Sequence, residues 1–107
     1  MTIDIPWGGQ SRRFVLTTLC SYGEYGDFQA FPTSPLALEV LELGTRLKAT
    51  GRCRELRSDG KRLRLVLEEA TITLQHNGRT VLENVRPDSQ TAAQRVLELL
   101  FDLLGQS

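Results

Sequence analysis

The chain has 107 residues, of which 40% are apolar and 24% charged, and its 13 basic residues balance its 13 acidic ones. This composition is typical of one globular domain and excludes wholesale disorder and a uniformly basic protein. No stretch approaches the ~20 apolar residues of a membrane-spanning helix, and the first residues carry no apolar export segment, so we expect a cytoplasmic protein without membrane contact.

The N-terminal third contains two predicted strands. Residues 1–11 include the run Pro6-Trp7-Gly8-Gly9 and are expected to form an irregular arm. Arg13–Cys20 is rich in β-branched and aromatic residues and predicts the first strand. After a glycine-bracketed turn, Phe28–Phe31 predicts a second, shorter strand.

The segment Leu36–Leu43 allows two interpretations. Pro35 as the first helical residue and Gly44 just after the last one are typical of a short helix. Leu36, Leu38 and Val40 also alternate as they would in a strand. We prefer the helix because the signals at its two ends agree.

From Gly44 onward, alternation predicts an antiparallel meander of four strands. The first predicted strand places every second residue from Leu47 to Cys53 on one face and basic residues on the other. A turn at residues 58–60 leads to the second strand, around Leu63–Leu67. A third strand covers residues 70–75. The Asn77-Gly78 turn, with positive φ expected at both positions, leads to the fourth at Arg79–Val85.

A C-terminal helix should close the fold. Pro87-Asp88-Ser89 supplies an N-cap, and Gln90–Leu104 is the predicted helix, with Gly105 at its end. Residues 1–107 then form one α+β domain, with a β-rich body at 13–86, a short middle helix and the helix at 89–104. Its antiparallel meander or small barrel has the element order of OB-like and PH-like barrels, an analogy that fixes no function.

The terminal helix is more apolar than one sheet requires. Its apolar residues fill about 200° of the helix circumference, whereas a helix on one sheet needs only somewhat more than about 100°. The middle helix could cover the surplus, but an association surface is the preferred interpretation. The predicted interface consists of Leu97, Leu99, Leu100, Phe101 and Leu104.

A basic patch offers a second candidate site. The predicted strands at 46–64 would expose six basic side chains on one sheet face, where neighbouring glutamates or a bound anion could neutralise them. Aromatic residues between 22 and 31 could add stacking, although core packing is the simpler role. The anion or nucleic-acid site predicted as the alternative comprises Arg46, Lys48, Arg52, Arg54, Arg62 and Arg64, with Tyr22 and Tyr25.

No pattern in the sequence predicts catalysis, a metal site, a cofactor or a small-molecule substrate. Cys20 and Cys53 form no C-x-x-C pair and are expected as buried reduced thiols, although a bridge between the two predicted strands would also fit. His76, the sole histidine, lies beside the Asn77-Gly78 turn and is expected to face solvent.

Two functional hypotheses follow. The first is a non-catalytic accessory or adaptor subunit that self-associates, most simply as a homodimer, or docks on a larger protein through its C-terminal helix. The alternative is an OB-like module that binds single-stranded nucleic acid through the basic hairpin.

Overall fold

The computed structural model describes residues 1–7 and 9–105. Within these residues one antiparallel sheet of seven strands is accompanied by two helices. In chain order the elements are β1 (Thr2–Trp7), β2 (Gln10–Ser21), β3 (Gly26–Pro32), α1 (Val40–Thr50), β4 (Glu55–Ser58), β5 (Arg62–Val66), β6 (Thr71–Gln75), β7 (Thr80–Val85) and α2 (Gln90–Gly105). This arrangement confirms the predicted α+β fold with a middle helix and a C-terminal helix.

The sheet consists of two meanders joined at its centre. Strands β1 to β3 form the first, α1 carries the chain to the far edge, and β4 to β7 return so that β7 pairs with β3. The resulting order, β1-β2-β3-β7-β6-β5-β4, leaves β1 and β4 at opposite edges. The sheet is therefore open, and does not close into the barrel that the OB-like and PH-like analogies suggested.

Both helices cover the same face of the sheet. Helix α1 packs on β4 and β5, and α2 packs on β1, β2 and β7 and touches α1. Alternate strand residues are buried beneath them, as period-two patterning requires. The largest fully buried strand side chains are Ile5, Phe14, Leu16, Phe28, Leu63, Leu65, Ile72, Leu74 and Leu82. Among residues 1–7 and 9–105 no helix lies on the opposite face, which we call the open face.

The N-terminal arm was predicted as irregular, and this prediction is wrong. Ile3 and Ile5 are buried, and β1 pairs with β2 along its whole length. Met1 and Leu16 exchange backbone hydrogen bonds, so the even-numbered residues of β1 turn their backbone groups to the free edge. Pro6 therefore occupies an edge position where its missing N–H costs the ladder no hydrogen bond.

The middle helix begins and ends later than predicted. Val40, Leu43, Gly44 and Leu47 are buried at helical spacing, and the chain leaves the helix at Gly51, whose φ is +70°. Gly44 lies inside the helix, at a position that favours glycine because an added Cβ would stand 3.2 Å from Leu63 Cδ1 on β5. The helix predicted over Leu36–Leu43 is therefore shifted to Val40–Thr50, and the residues of the strand predicted from Leu47 to Cys53 belong to α1 and to the loop before β4.

The chain reverses at both later turns as predicted, but the strand before the first turn is β4 and not the predicted strand from Leu47 to Cys53, and the second turn is of a different type. Strands β4 and β5 join through a turn at Asp59, and β6 and β7 through a three-residue loop, His76 to Gly78. Gly78 has φ of +91°, whereas Asn77 does not have a positive φ. The loop is therefore of the kind in which a type I turn is followed by a left-handed glycine, and not the predicted type I′ turn.

Two smaller expectations are also resolved. Both cysteines are free, and Cys20 is exposed on β2 while Cys53 is half-buried in the loop before β4, so neither is the buried strand thiol that was expected. Across residues 1–7 and 9–105, neither helix has the length and apolar character needed to cross a bilayer.

Candidate functional site

The apolar arc of α2 is used inside the chain. Leu97, Leu100 and Leu104 are fully buried, Phe101 is 1% exposed and Leu99 is half-buried. The Phe101 ring lies 5.3 Å from the Trp7 ring and 5.4 Å from the Phe14 ring, centroid to centroid. The predicted interface through these residues is therefore wrong: the sheet, α1 and the unforeseen strand β1 cover the surplus that was assigned to another chain.

The six basic residues predicted to share one face are separated. Arg46 and Lys48 lie on α1, on the covered side of the sheet, and Arg46 Nη2 binds Glu42 Oε1 at 3.0 Å. Arg52 and Arg54 lie between α1 and β4, and Arg52 Nη2 is 3.3 Å from Glu69 Oε1. Arg62 and Arg64, on β5, remain together on the open face of the sheet.

Tyr22 and Tyr25 are separate from Arg62 and Arg64. They lie between β2 and β3 and stack on each other with ring centroids 4.7 Å apart, at the opposite end of β3 from Phe31. Hydrogen bonding to the Cys20 side chain and then to Asp27 raises the pKa of Tyr22 well above its ordinary value. The pair is a local cluster, and the structure does not join it to Arg62 and Arg64.

Outward-facing side chains form rows across the open face. One row holds Glu55, Val66, Thr71 and Glu83, and the two rows beyond it, which we call the first and second rows, carry the arginines. Strand registers define the first row, from the β4 edge inward, as Arg57, Arg64, Thr73, Val81, Gln29 and Thr17. The second row consists of Arg62, Gln75, Arg79, Phe31 and Val15. Arg62 pairs with Gln75, whose backbone N–H donates to the Arg79 carbonyl, and Arg79 contacts Phe31, which pairs with Val15.

The β4 end of these rows holds three arginines, Arg57, Arg62 and Arg64, which we call the arginine cluster. Arg57 and Arg64 are direct cross-strand partners, and Arg62 precedes Arg64 by one outward position. Arg64 Nη1 lies 3.9 Å from Glu55 Oε2, whereas neither Arg57 nor Arg62 has an ion pair among residues 1–7 and 9–105. These arginines line a shallow depression of about 410 Å³ with Ser58, Asp59 and Thr73.

Asp59 brings one carboxylate to the rim of this depression. Its Oδ1 accepts hydrogen bonds from the backbone N–H of Arg62 at 2.8 Å and of Lys61 at 3.0 Å. These two bonds, that from Arg62 first, lower the pKa of Asp59 below its ordinary value. The carboxylate thus holds the turn that sets the β4–β5 register and offsets part of the positive charge of Arg62, so that three arginines face two carboxylates, Asp59 and Glu55.

Arg57 and Arg79 were missed as site residues, and Phe31 was considered only as one of the aromatic residues between 22 and 31 and was not included in the predicted site. The register of the β4–β5 turn could have placed Arg57 opposite Arg64, because a turn length fixes which residues pair. Arg79 and Phe31 meet only through the β3–β7 pairing, between strands some fifty residues apart, and no local pattern indicates it. Their guanidinium carbon and ring centroid are 5.4 Å apart.

The part of the chain that the structure describes gathers no cluster of metal ligands. His76 is exposed in the hairpin loop, and no three His, Cys, Asp or Glu side chains in that part come together as metal ligands. Comparison with protein-family profiles, with curated proteins and with solved structures finds no match. The function must therefore be inferred from the chain's own residues.

Proposed function

We propose that the chain is a binding module that holds a linear, phosphate-bearing ligand across the open face of its sheet. The observation that carries this proposal is the arginine cluster, in which two cross-strand arginines and a third beside them outnumber the two nearby carboxylates, Glu55 and Asp59. The helix-docking hypothesis has no comparable support, since its residues pack in the core.

The charge arrangement of the cluster favours an anionic ligand. Like charges placed directly opposite in a sheet are destabilising by an amount of the order of a fraction of a kcal/mol, and a bound anion would offset that cost. Guanidinium groups suit phosphate because their planar fork donates two parallel hydrogen bonds. The depression is shallow and open, which fits a chain lying across it better than an enclosed small molecule.

We expect Arg57→Gln/Arg62→Gln to weaken binding of an abasic single-stranded oligodeoxynucleotide, a phosphate chain without bases. Counterion release gives a log–log salt slope of roughly −0.7 per phosphate contacted, so losing two contacts should reduce the slope by about 1.4. Fluorescence anisotropy across a salt series measures it. Folding stability should be unchanged or slightly higher, because the repulsion between Arg57 and Arg64 is relieved.

A control variant with the same change of charge is available on the other side of the molecule. Arg46→Gln/Lys48→Gln removes two positive charges from α1, and we expect its salt slope to stay near that of the wild-type chain. Equal loss in both variants would mean that net charge, and not the cluster, attracts the oligonucleotide. Absence of wild-type binding at low salt would refute the proposed function.

Asp59→Asn should strengthen phosphate binding. The asparagine Oδ1 can still accept the backbone hydrogen bonds of Lys61 and Arg62, while the negative charge at the rim disappears. Because the native pKa of Asp59 is lowered, its charge stabilises the fold above the unfolded pKa, and this contribution is lost as pH falls through the native pKa. Acid titration of stability should therefore be shallower for Asp59→Asn, and weaker oligonucleotide binding by this variant would contradict the assignment.

A further inference from the structure

We infer that the ligand of the open face is a single-stranded nucleic acid, one base of which stacks on a platform formed by Phe31 and Arg79. This inference rests on the proposed function and adds the class of ligand to it. It is carried by the aromatic side chain of Phe31, which lies on the second row with Arg62 of the arginine cluster and remains 40% exposed.

The platform is held in place by contacts within the sheet. The Arg79 guanidinium lies over the Phe31 ring, and Arg79 Nη2 donates a hydrogen bond to Gln29 Oε1 at 3.1 Å. Arg79 is half-buried, so much of its side-chain order is established before a ligand arrives. Aromatic rings and guanidinium planes are the two surfaces on which proteins stack unpaired bases.

The distance between the platform and the arginine cluster fits one ligand. Phe31 on β3 and Arg62 on β5 are separated by β7 and β6, which at ~4.8 Å per strand places them about 14 Å apart on the second row. Between them lie the side chains of Gln75 and Arg79, whose amide and guanidinium groups can hydrogen-bond to bases or phosphates. A strand running across the sheet can therefore place phosphates at the cluster and a base at Phe31.

The chemistry of the platform selects the ligand class. A polymer that offers only phosphate or carboxylate groups uses the arginines but gains nothing from an exposed phenyl ring. Duplex nucleic acid keeps its bases stacked inside the helix, where a flat sheet face cannot reach them. A single-stranded nucleic acid supplies both phosphate charge for the arginines and unpaired aromatic bases for the Phe31 ring.

The test compares a base-bearing single-stranded oligodeoxynucleotide with an abasic strand of equal length. One stacked base should make the wild-type chain bind the base-bearing strand about 5- to 150-fold more tightly than the abasic one. Phe31→Leu keeps an apolar side chain on the sheet and should abolish most of that ratio, whereas Phe31→Tyr should preserve it. Tyr22→Leu, at the other end of β3, is the matched control and should leave the ratio unchanged.

The outcomes separate this inference from the proposed function. Equal wild-type affinity for both strands, or a base preference that persists in Phe31→Leu, would overturn the base platform. If abasic binding still depends on Arg57 and Arg62 in that case, the phosphate-binding function stands without a nucleic-acid ligand. If neither strand binds, both proposals fail together.

Discussion

Phe101→Ala is expected to lower the free energy of unfolding by about 3–5 kcal/mol, the range seen when a buried phenylalanine is truncated in a packed core. Phe101 is 1% exposed, and its ring lies against those of Trp7 and Phe14. Truncation removes both aromatic contacts and leaves a cavity between α2 and the first two strands. Chemical denaturation of the purified chain measures the loss.

The same variant distinguishes a core residue from an interface residue. If Phe101 belongs to the core, its truncation lowers stability by the same amount at every protein concentration. Glu98→Ala, on the exposed side of the same helix, should change stability by less than about 0.5 kcal/mol and serves as the control. A Phe101→Ala chain of unaltered stability but lower mass in solution would restore the self-association hypothesis.

The parts of the fold that could be predicted are those specified by local patterns. Strict alternation in β5 and β6 defines which side chains face inward, and the turn residues at Asp59 and Gly78 define where the chain reverses. Helix α2 has a capping serine, since the Ala92 N–H donates to Ser89 Oγ at 3.1 Å. In these segments propensity, periodicity and turn chemistry agree, so the sequence alone predicts them.

The errors arose where one short-range signal outweighed another. Pro6, Trp7 and two glycines concealed the alternation of Ile3 and Ile5, because an edge strand tolerates residues that a central strand excludes. Gly44 resembled a helix terminus, although it is a point of close approach between α1 and β5. The missing strand and the displaced helix together account for the apolar surface of α2 that had no assigned neighbour.

The site was only partly predictable for a related reason. The alternating basic residues from 46 to 54 fit a strand, but the buried residues from Val40 to Leu47 favour a helix. Arg46 and Lys48 therefore lie on α1, on the covered side of the sheet and away from the open face. Arg62 and Arg64 were placed correctly because they lie in a regular hairpin. The Phe31–Arg79 contact depends on the pairing of two distant strands, and its register is set by the packed fold as a whole.

Gly78→Val is expected to cost about 2–5 kcal/mol of stability, because the position combines backbone strain with a close approach. At φ of +91° a residue with a Cβ incurs roughly 1–2 kcal/mol of strain. An added Cβ would also stand 2.9 Å from Leu36 Cδ2 and 3.0 Å from Pro32 Cγ, and such overpacking typically costs about 1–3 kcal/mol more.

The two contributions can be separated with Gly23→Val. Gly23 has a similar φ of +94°, but nothing lies within 4 Å of the Cβ that a substitution would add, so this variant reports the strain alone. We expect thermal or chemical denaturation to show a clearly larger loss for Gly78→Val, since the segment carrying Leu36 must move to admit the side chain. Equal losses would mean that the hairpin loop does not pack against Leu36 and Pro32. A Gly78→Val chain as stable as the wild type would contradict the β6–β7 turn, and with it the register that aligns Gln75 with Arg79 and the second row of the open face.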